Sequence, residues 1–367
     1  MSVGDEEWPA ARVFHITGGI RALNLDRSVV EFQPMTLGGK VCRLHCRSYR
    51  GVFVDIRKLH LGIVGTDTYA HALELEGKAP PDWRVFREGW PSWEQGQKWA
   101  EIANAGFETQ NGYVWDLAAR ISHQWRVCSW RVRQASQAYA EQLVGCSKKN
   151  ALTAGTRFED GFTSLAYIAI QSYLVDICIL RDYLAEFVAN VVWKTDLRPD
   201  SSRITTMAGL LKKVLPSIPP EDSLVQGIKI VVTGGGWLEN LGHYRDLVVH
   251  TAPLTTAKGR LFAIIEHVPF PEGQMIPYVR LPLPTNPKEI RTRRANNEHF
   301  SDFKAQFDAF AEAASQQYTY IDALDYVWEV HGQMADFAAT IAETSPIEGR
   351  KMTFDSSNII GDIRISE

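Results

Sequence analysis

The chain has 367 residues, of which 45% are hydrophobic and 22% are charged, a composition that excludes a disordered, collagen-like or low-complexity protein. Its 39 basic and 43 acidic residues give a formal net charge of −4, so binding to nucleic acid would depend on a local patch rather than on the field of the whole molecule. At roughly 150 residues per domain, the length predicts about two units.

The cysteine content and the first residues predict where the protein works. Five cysteines in a chain of this length are too few for a secreted disulfide framework, and their odd number would leave one unpaired. The start carries Asp5, Glu6 and Glu7, where a secretion signal needs basic residues and an apolar run. The most apolar stretch, Gly161 to Val175, falls short of the roughly 20 residues that span a bilayer. These features predict a soluble, cytoplasmic protein that does not enter a membrane.

Residues 1–95 predict a small β-rich unit followed by a connector. Short runs of β-branched and aromatic residues are separated by glycines, which is the pattern of antiparallel strands. The runs cover residues 13–16, 29–32, 41–46 and 52–56. From Ala79 to Trp99, prolines disfavour a continuous helix, and tryptophans indicate a connector that packs against the rest of the protein.

Residues 96–345 predict a helical bundle. Apolar residues recur every three or four positions from about Gln97 to Gly145 and predict one long amphipathic helix. The stretch 158–193 is apolar nearly all round, which predicts the most buried helix of the bundle. Shorter helices are predicted at 204–214 and 237–250, whereas 223–232 fits either a helix or a strand.

A β-hairpin is predicted at about 260–284, where runs at 261–268 and 275–283 flank a turn rich in proline and glycine. A last long helix is predicted from about His299 to Thr344, and residues 346–367 are assigned to a tail. The predicted fold class is therefore mainly α: a helical bundle with a small N-terminal β-rich unit and a β-hairpin inserted after the helix that ends at His250.

The helix predicted at 237–250 carries the candidate site. Its polar residues Glu239, His243, Asp246 and His250 are spaced four, three and four positions apart, so they share one helix face. Arg245 lies roughly 140° round the helix from His250, but its long side chain can bring the guanidinium back toward the helix end. A polar stripe at this place either faces water or lines a site.

An arginine close to a histidine suits phosphodiester chemistry without a metal. An imidazole titrates near neutrality, so it can take a proton from a ribose 2′-hydroxyl or give one to the leaving oxygen. A guanidinium stays charged and can hold phosphate oxygens as negative charge builds on them. Attack by the 2′-oxygen would leave a 2′,3′-cyclic phosphate. We therefore assign the acid/base role to His250 and the phosphate clamp to Arg245.

Arg245, a polar residue at 246, three further residues and then His250 resemble the Arg-x4–6-His motif of the HEPN superfamily. The resemblance covers the motif and, loosely, the helical region from about 97 to 255. It implies a HEPN-like bundle and a metal-independent endoribonuclease with no cofactor. It also implies a homodimer that brings two motifs into one cleft. Many family members act in toxin–antitoxin, abortive-infection and CRISPR systems, which implies a prokaryotic defence or toxin-type effector with a neutralising or activating protein partner.

The resemblance leaves the neighbouring residues with less defined roles. Asp246 stands where many family members have asparagine or another polar residue, and we include it in the catalytic set. Glu239, His243 and Tyr244 are assigned supporting roles. The spacing range of the motif also fits Arg293 or Arg294 with His299, and Arg260 with His267, but the Arg294 match is in a predicted loop and the Arg260 match is in a predicted strand.

The long helix offers a candidate RNA-binding stretch. Arginines and tryptophans alternate there, and such residues can follow an RNA backbone and stack on its bases. The arginines are Arg120, Arg126, Arg131 and Arg133. A solvated helix face explains the same charges, and this alternative stays open. Cys42, His45 and Cys46 lack the paired Cys-x2-Cys knuckle of a structural zinc site, so no metal site is predicted.

Two functions follow from these patterns. The first is an endoribonuclease that acts on RNA as a homodimer. The second is a non-catalytic helical interaction or sensor protein, which uses the same dimer surface to bind a nucleotide or a protein and in which His250 is structural.

Overall fold

The computed structural model describes residues 12–24, 29–33, 42–46, 49–69, 72–149, 151–194, 203–250, 254, 261–288, 304–305, 308 and 321–352. Within these residues the protein is mainly α-helical and contains three antiparallel sheets of six, three and two strands. The predicted class of a mainly α protein with a smaller β part is therefore confirmed.

The N-terminal part forms a six-stranded antiparallel sheet in the order β4-β3-β2-β1-β5-β6. The strands are β1 (Arg12–Ile16), β2 (Arg21–Asn24), β3 (Val29–Gln33), β4 (Cys42–His45), β5 (Ile63–Thr68) and β6 (Asp82–Val85). Three of the four predicted strand runs are confirmed. The sheet is completed by β2 and β5, which are not among the predicted runs, and by β6, which lies inside the stretch that the sequence assigns to a connector.

The fourth predicted strand, at 52–56, is wrong, because these residues belong to helix α1 (Tyr49–Lys58). Val52 and Ile56 are both fully buried, whereas Val54 between them is exposed. Burial at positions four apart is the helical period. The β-branched residues therefore follow their contact with the sheet rather than their strand propensity. A short helix, α2 (Ala72–Leu75), follows β5.

The single long helix predicted from Gln97 is two antiparallel helices, α3 (Pro91–Glu108) and α4 (Gly112–Lys148). The break has a local cause, because the Asn111 side chain accepts a hydrogen bond from the backbone N–H of Val114 and so caps α4. Gly106 allows the close return of the chain, since a Cβ there would lie 2.7 Å from the backbone nitrogen of Trp115. The periodicity runs on across this turn and conceals it.

Helix α5 (Gly161–Phe187) continues as a wider helical turn to Val192 and packs against α4. Its length and apolar composition are sufficient for a membrane span, which corrects the shorter estimate from the sequence, and 56% of the stretch tested is buried inside the protein. The prediction that α5 is the most buried helix holds for one side only. Leu165 and Ile168 on the other side are 53% and 54% exposed.

The chain then forms the helices that surround the candidate site. They are α6 (Met207–Gly209, with further helical turns to Ser217), α7 (Ser223–Val232) and α8 (Trp237–His250). The open assignment of 223–232 is thus a helix, capped by the Asp222 side chain. The boundaries predicted for α8 are confirmed.

The predicted hairpin is also confirmed, with β8 (Ala263–Phe270) paired to β9 (Gln274–Arg280). The short strand β7 (Arg157–Phe158) extends this sheet, and β10 (Pro282–Leu283) pairs with β11 (Ile321–Asp322). The last helix, α9 (Ala323–Glu343), begins later than predicted, because Ile321 is in a strand and Asp322 caps the helix. Of the predicted start, Lys304, Ala305 and Asp308 are helical, whereas Phe303, Phe307, Phe310, Ala314 and Tyr318 lie outside the described residues.

The N-terminal sheet is built onto the helical bundle by close packing and buried polar contacts. A Cβ at Gly19, in the turn between β1 and β2, would lie 2.5 Å from the backbone oxygen of Tyr139 on α4. The Arg21 guanidinium donates to the backbone oxygen of Ser136 on the same helix at 2.8 Å. The sheet and α4 therefore share one continuous interface.

Candidate functional site

Helix α8 starts at a turn that only glycine adopts readily. Gly234 and Gly235 both have positive φ angles, at 65° and 86°, in the left-handed region where a Cβ is disfavoured. The Glu239 carboxylate accepts a hydrogen bond from the backbone N–H of Gly235 at 3.1 Å. This carboxylate therefore holds the turn that starts the helix, and its negative charge also suits a helix N-terminus.

The core-facing side of α8 fixes the direction in which its polar residues point. Leu238, Leu241, Tyr244 and Leu247 are buried, and they recur every three residues along the helix. The opposite side therefore faces outward. It carries the predicted stripe, with Glu239, His243 and Asp246 partly exposed and His250 exposed as the last residue of the helix.

The Arg245 side chain is directed toward the neighbouring Asp246 of the stripe. Its guanidinium donates to Asp246 Oδ1 at 2.8 Å, and both side chains keep about a third of their surface exposed (35% and 30%). The hydrogen bond with Asp246 raises the pKa of Arg245. The residue thus stays cationic and partly open to solvent, beside the Asp246 carboxylate, which lies one helical turn before His250.

The three residues predicted to support the site occupy different environments. The His243 ring lies 3.6 Å from the Glu239 carboxylate, so these two form a pair at the start of the stripe. Tyr244 is fully buried, donates to the backbone oxygen of Pro284 at 2.6 Å and packs 4.7 Å from the Tyr326 ring. It therefore anchors α8 to the core from the side away from solvent.

Two charged residues of α5, which are not among the candidates predicted from the sequence, border the site. Gly242 lies against Arg181, since a Cβ at Gly242 would be 3.5 Å from the guanidinium. Arg181 is paired with Asp182, which also accepts a hydrogen bond from the backbone N–H of Met207. The sequence contains a signal for these two residues, because both charges interrupt an otherwise apolar helix, and charges in such a place need polar neighbours.

Three of the four predicted RNA-binding arginines are bound within the protein. Arg120 pairs with Asp116 and Glu186, Arg131 pairs with Asp176 at 2.6 Å, and Arg133 makes two hydrogen bonds of 2.8 Å to Asp67. Arg126 is exposed, and no ion pair engages it in the described part of the chain. The structure therefore does not bring the four together as one free basic surface.

The remaining candidates from the sequence are placed as follows. All five cysteines are buried thiols, and within the described residues no group of three or more His, Cys, Asp or Glu side chains is arranged to hold a metal ion. His267 is on strand β8, as expected. Arg260, Arg294 and His299 lie outside the described residues.

Comparison with known proteins adds no relative. No family model matches the chain, and no curated protein or solved structure matches it significantly. The chemistry of the α8 face has to be argued from its own residues.

Proposed function

We propose that this protein is a HEPN-like, metal-independent endoribonuclease that cleaves RNA by attack of the ribose 2′-hydroxyl. The observation that carries the proposal is the outward face of α8, where the Arg245 guanidinium and the exposed His250 imidazole both reach solvent from one helix. The hydrogen bond to Asp246 holds the guanidinium beside a residue that lies one helical turn before His250. A cation and a proton-transfer group on one solvent-facing surface are the parts that this reaction needs.

The proposed reaction uses one imidazole as base and one as acid. His250 takes the proton of the 2′-hydroxyl, and the 2′-oxygen forms a bond to phosphorus while the bond from phosphorus to the 5′-oxygen breaks. A protonated His250 from the second copy of the chain gives its proton to the leaving 5′-oxygen. Arg245 holds the phosphate oxygens as charge builds on them. The products are a 2′,3′-cyclic phosphate and a 5′-hydroxyl.

The proposal includes the setting that the motif resemblance implies. The enzyme would act as a homodimer on RNA in the cytoplasm, as a prokaryotic defence or toxin-type effector with a neutralising or activating protein partner. It would use no cofactor or metal ion. Arg126 on α4 and the paired arginines near it would contribute to RNA binding only where their charge is accessible.

The test is cleavage of mixed RNA by the purified full chain in EDTA, with the product ends analysed for cyclic phosphate. We expect His250→Ala to lower the rate by about 100- to 10,000-fold, the usual contribution of a general acid or base. Arg245→Ala should also abolish cleavage. Arg245→Lys keeps the charge but loses the planar fork, so it should retain part of the activity.

His45→Ala is the matched control, because His45 is an exposed histidine on strand β4 and not on α8. It should cleave like the wild type when purified in the same way, which separates the activity of this protein from a contaminating nuclease. Equal cleavage by all the variants, or no cleavage by a folded dimer, would contradict the proposal.

One observation favours the second candidate function, a helical interaction or sensor protein without catalysis. The outward side of α5 leaves large apolar side chains exposed next to α8, a feature of protein-binding surfaces. On this hypothesis His250→Ala and Arg245→Ala change partner binding but no RNA is cut by any variant.

A further inference from the structure

A stripe of exposed apolar side chains runs along helix α5. Each of its members exposes more than a third of its surface, and they recur every three, four or seven residues, so they lie on one face. The members of this α5 stripe are Phe162, Leu165, Ile168, Val175 and Ile179. By the rise of a helix, the stripe is about 26 Å long. Soluble proteins rarely leave so many large apolar side chains together in water without a partner.

The size of the stripe fits an interface with another protein surface. The exposed parts of its side chains amount to several hundred Å², which is the range in which an exposed apolar patch marks an interaction site. Val144 on α4 adds a further exposed side chain. It is close to the stripe, because a Cβ added at the neighbouring Gly145 would lie 3.1 Å from the Phe162 ring. A specific interface buries about 800 Å² per partner, so the stripe would form its apolar centre and surrounding polar side chains would supply the rest.

Helix α8 runs antiparallel to α5 along one edge of the stripe. Gly242 on α8 lies beside Arg181 on α5. One turn further along α8, the charges of Arg245 and Asp246 act on the pKa of the Cys178 thiol, which is one turn before Arg181 on α5. Continuing this register by one further turn places the end of α8 beside residues 174–175 of α5. This register brings the end of α8 to the level of Val175, a member of the α5 stripe three residues from Ser172.

The stripe is suited to contact its own copy. In a two-fold symmetric interface both subunits use the same surface patch. An exposed charge near the axis therefore lies opposite the same charge of the other subunit. The outward members of the α5 stripe carry no charge, and Ser172 lies between Ile168 and Val175 on the same face. Asp176, the residue after Val175, is only 15% exposed and is held by Arg131. A second copy can therefore approach without unpaired charges.

A membrane is a poorer occupant of this face. The other side of α5 packs against α4, α8 and α9, and its buried tyrosines hold it there; Tyr167 donates to the backbone oxygen of Pro282 at 2.9 Å. To span a bilayer, α5 would have to leave these contacts.

We propose that the α5 stripe is the self-association surface of this protein, with a two-fold axis near Ser172 that brings the His250 residues of two copies to one cleft. This proposal deepens the proposed function, on which its catalytic meaning rests, by naming the surface that joins the two motifs. The association itself does not require the protein to cleave RNA.

The first test is the mass of the full chain in solution, measured by light scattering over a concentration series. We expect the wild type to be a dimer. Leu165→Asp and Ile168→Asp each place two carboxylates at the symmetric interface, so the dimer dissociation constant should rise by about 100-fold or more. Ile230→Asp is the matched control, since Ile230 on α7 is 75% exposed and is not part of the stripe; it should remain dimeric.

The second test locates the axis without destabilising the fold. Ser172→Cys should form a covalent dimer under mild oxidation, because the two thiols meet near the axis, whereas Ile230→Cys should not. The native cysteines are all buried and contribute little background. A monomeric wild type, a dimer that survives both aspartate substitutions, or equal cross-linking of the two cysteine variants overturns the proposal. A dimer with this behaviour that cuts no RNA overturns the proposed nuclease and leaves the interface standing.

Discussion

The interface between α4 and the N-terminal sheet and the outward face of α8 use the same residue types in opposite ways. At the interface, the buried Asp67 carboxylate accepts two hydrogen bonds from Arg133, and its Oδ2 lies 3.0 Å from His15 Nε2. On α8, Arg245 pairs with Asp246 while both remain partly exposed. The first set is closed to solvent and ties two parts of the chain together. The second set is partly open to solvent and joins two neighbouring residues of one helix.

The difference teaches which charges are available for function. A buried ion pair has lost its water, so its members depend on each other for stability. A solvent-exposed pair contributes little to stability, so its members can change partners at small cost. The aspartate of each pair, Asp67 and Asp246, therefore provides a direct comparison between the two regions.

The largest expected effect comes from replacing these aspartates one at a time. Asp67→Asn leaves the Arg133 and Arg21 side chains without their buried carboxylate and should lower the free energy of unfolding by about 3–5 kcal/mol. Asp246→Asn should lower it by less than about 1 kcal/mol. Urea unfolding of the two variants and the wild type measures both. Equal losses would mean that the α8 pair is also structural, and the contrast between the regions would be lost.

The second prediction sharpens the comparison through pH. Burial, together with the nearby charge of Arg21, lowers the pKa of His15 to about 3, in spite of its contact with Asp67. The unfolded chain binds a proton at this histidine below about pH 6.5, and the folded protein does not until about pH 3. The free energy of unfolding should therefore fall as the pH is lowered from 6.5 to 3, by up to about 1.4 kcal/mol per pH unit for this residue.

His15→Gln keeps a hydrogen-bond donor toward Asp67 but cannot take up the proton, so unfolding measured at several pH values should show a shallower slope. Burial also lowers the pKa of His331, at the Ser92 hydroxyl, to about 3. His331→Gln therefore gives an independent measurement of the same effect. An unchanged slope in both variants would show that these histidines are not held neutral by the fold.

The two regions also differ in how far the sequence predicts them. The α8 face is local: its polar spacing, the glycines before it and the adjacent Arg245 and Asp246 can all be read within one short segment. The partners at the sheet interface are far apart in sequence, since Arg133 is 66 positions from Asp67. Nothing in the neighbourhood of Arg133 distinguishes a charge that will be buried from one that faces water.

The same physical reason explains the wrong elements. The strand propensity of 52–56 is a local signal, but burial of Val52 and Ile56 against the sheet is a tertiary one, and it prevails. The break between α3 and α4 depends on the cap at Asn111, which a continuous apolar period conceals. The exposed side of α5 is a similar case, because an apolar helix does not show in its sequence which of its faces lacks a partner within the chain.

The smallest expected effect concerns RNA binding by α4, and it tests whether paired charges remain available. In a His250→Ala background that cannot cut RNA, Arg126→Ala should weaken binding of single-stranded RNA and reduce the slope of log affinity against log salt by about 0.7, the value for one lost phosphate contact. Arg131→Ala removes a guanidinium that Asp176 already holds, so it should change the slope less, while slightly lowering the free energy of unfolding. If Arg131→Ala reduces the slope as much as Arg126→Ala, the Asp176 carboxylate releases Arg131 to the phosphate. The rule that bound arginines serve structure and exposed ones serve binding would then fail on α4, where the carboxylate partner is itself only 15% exposed.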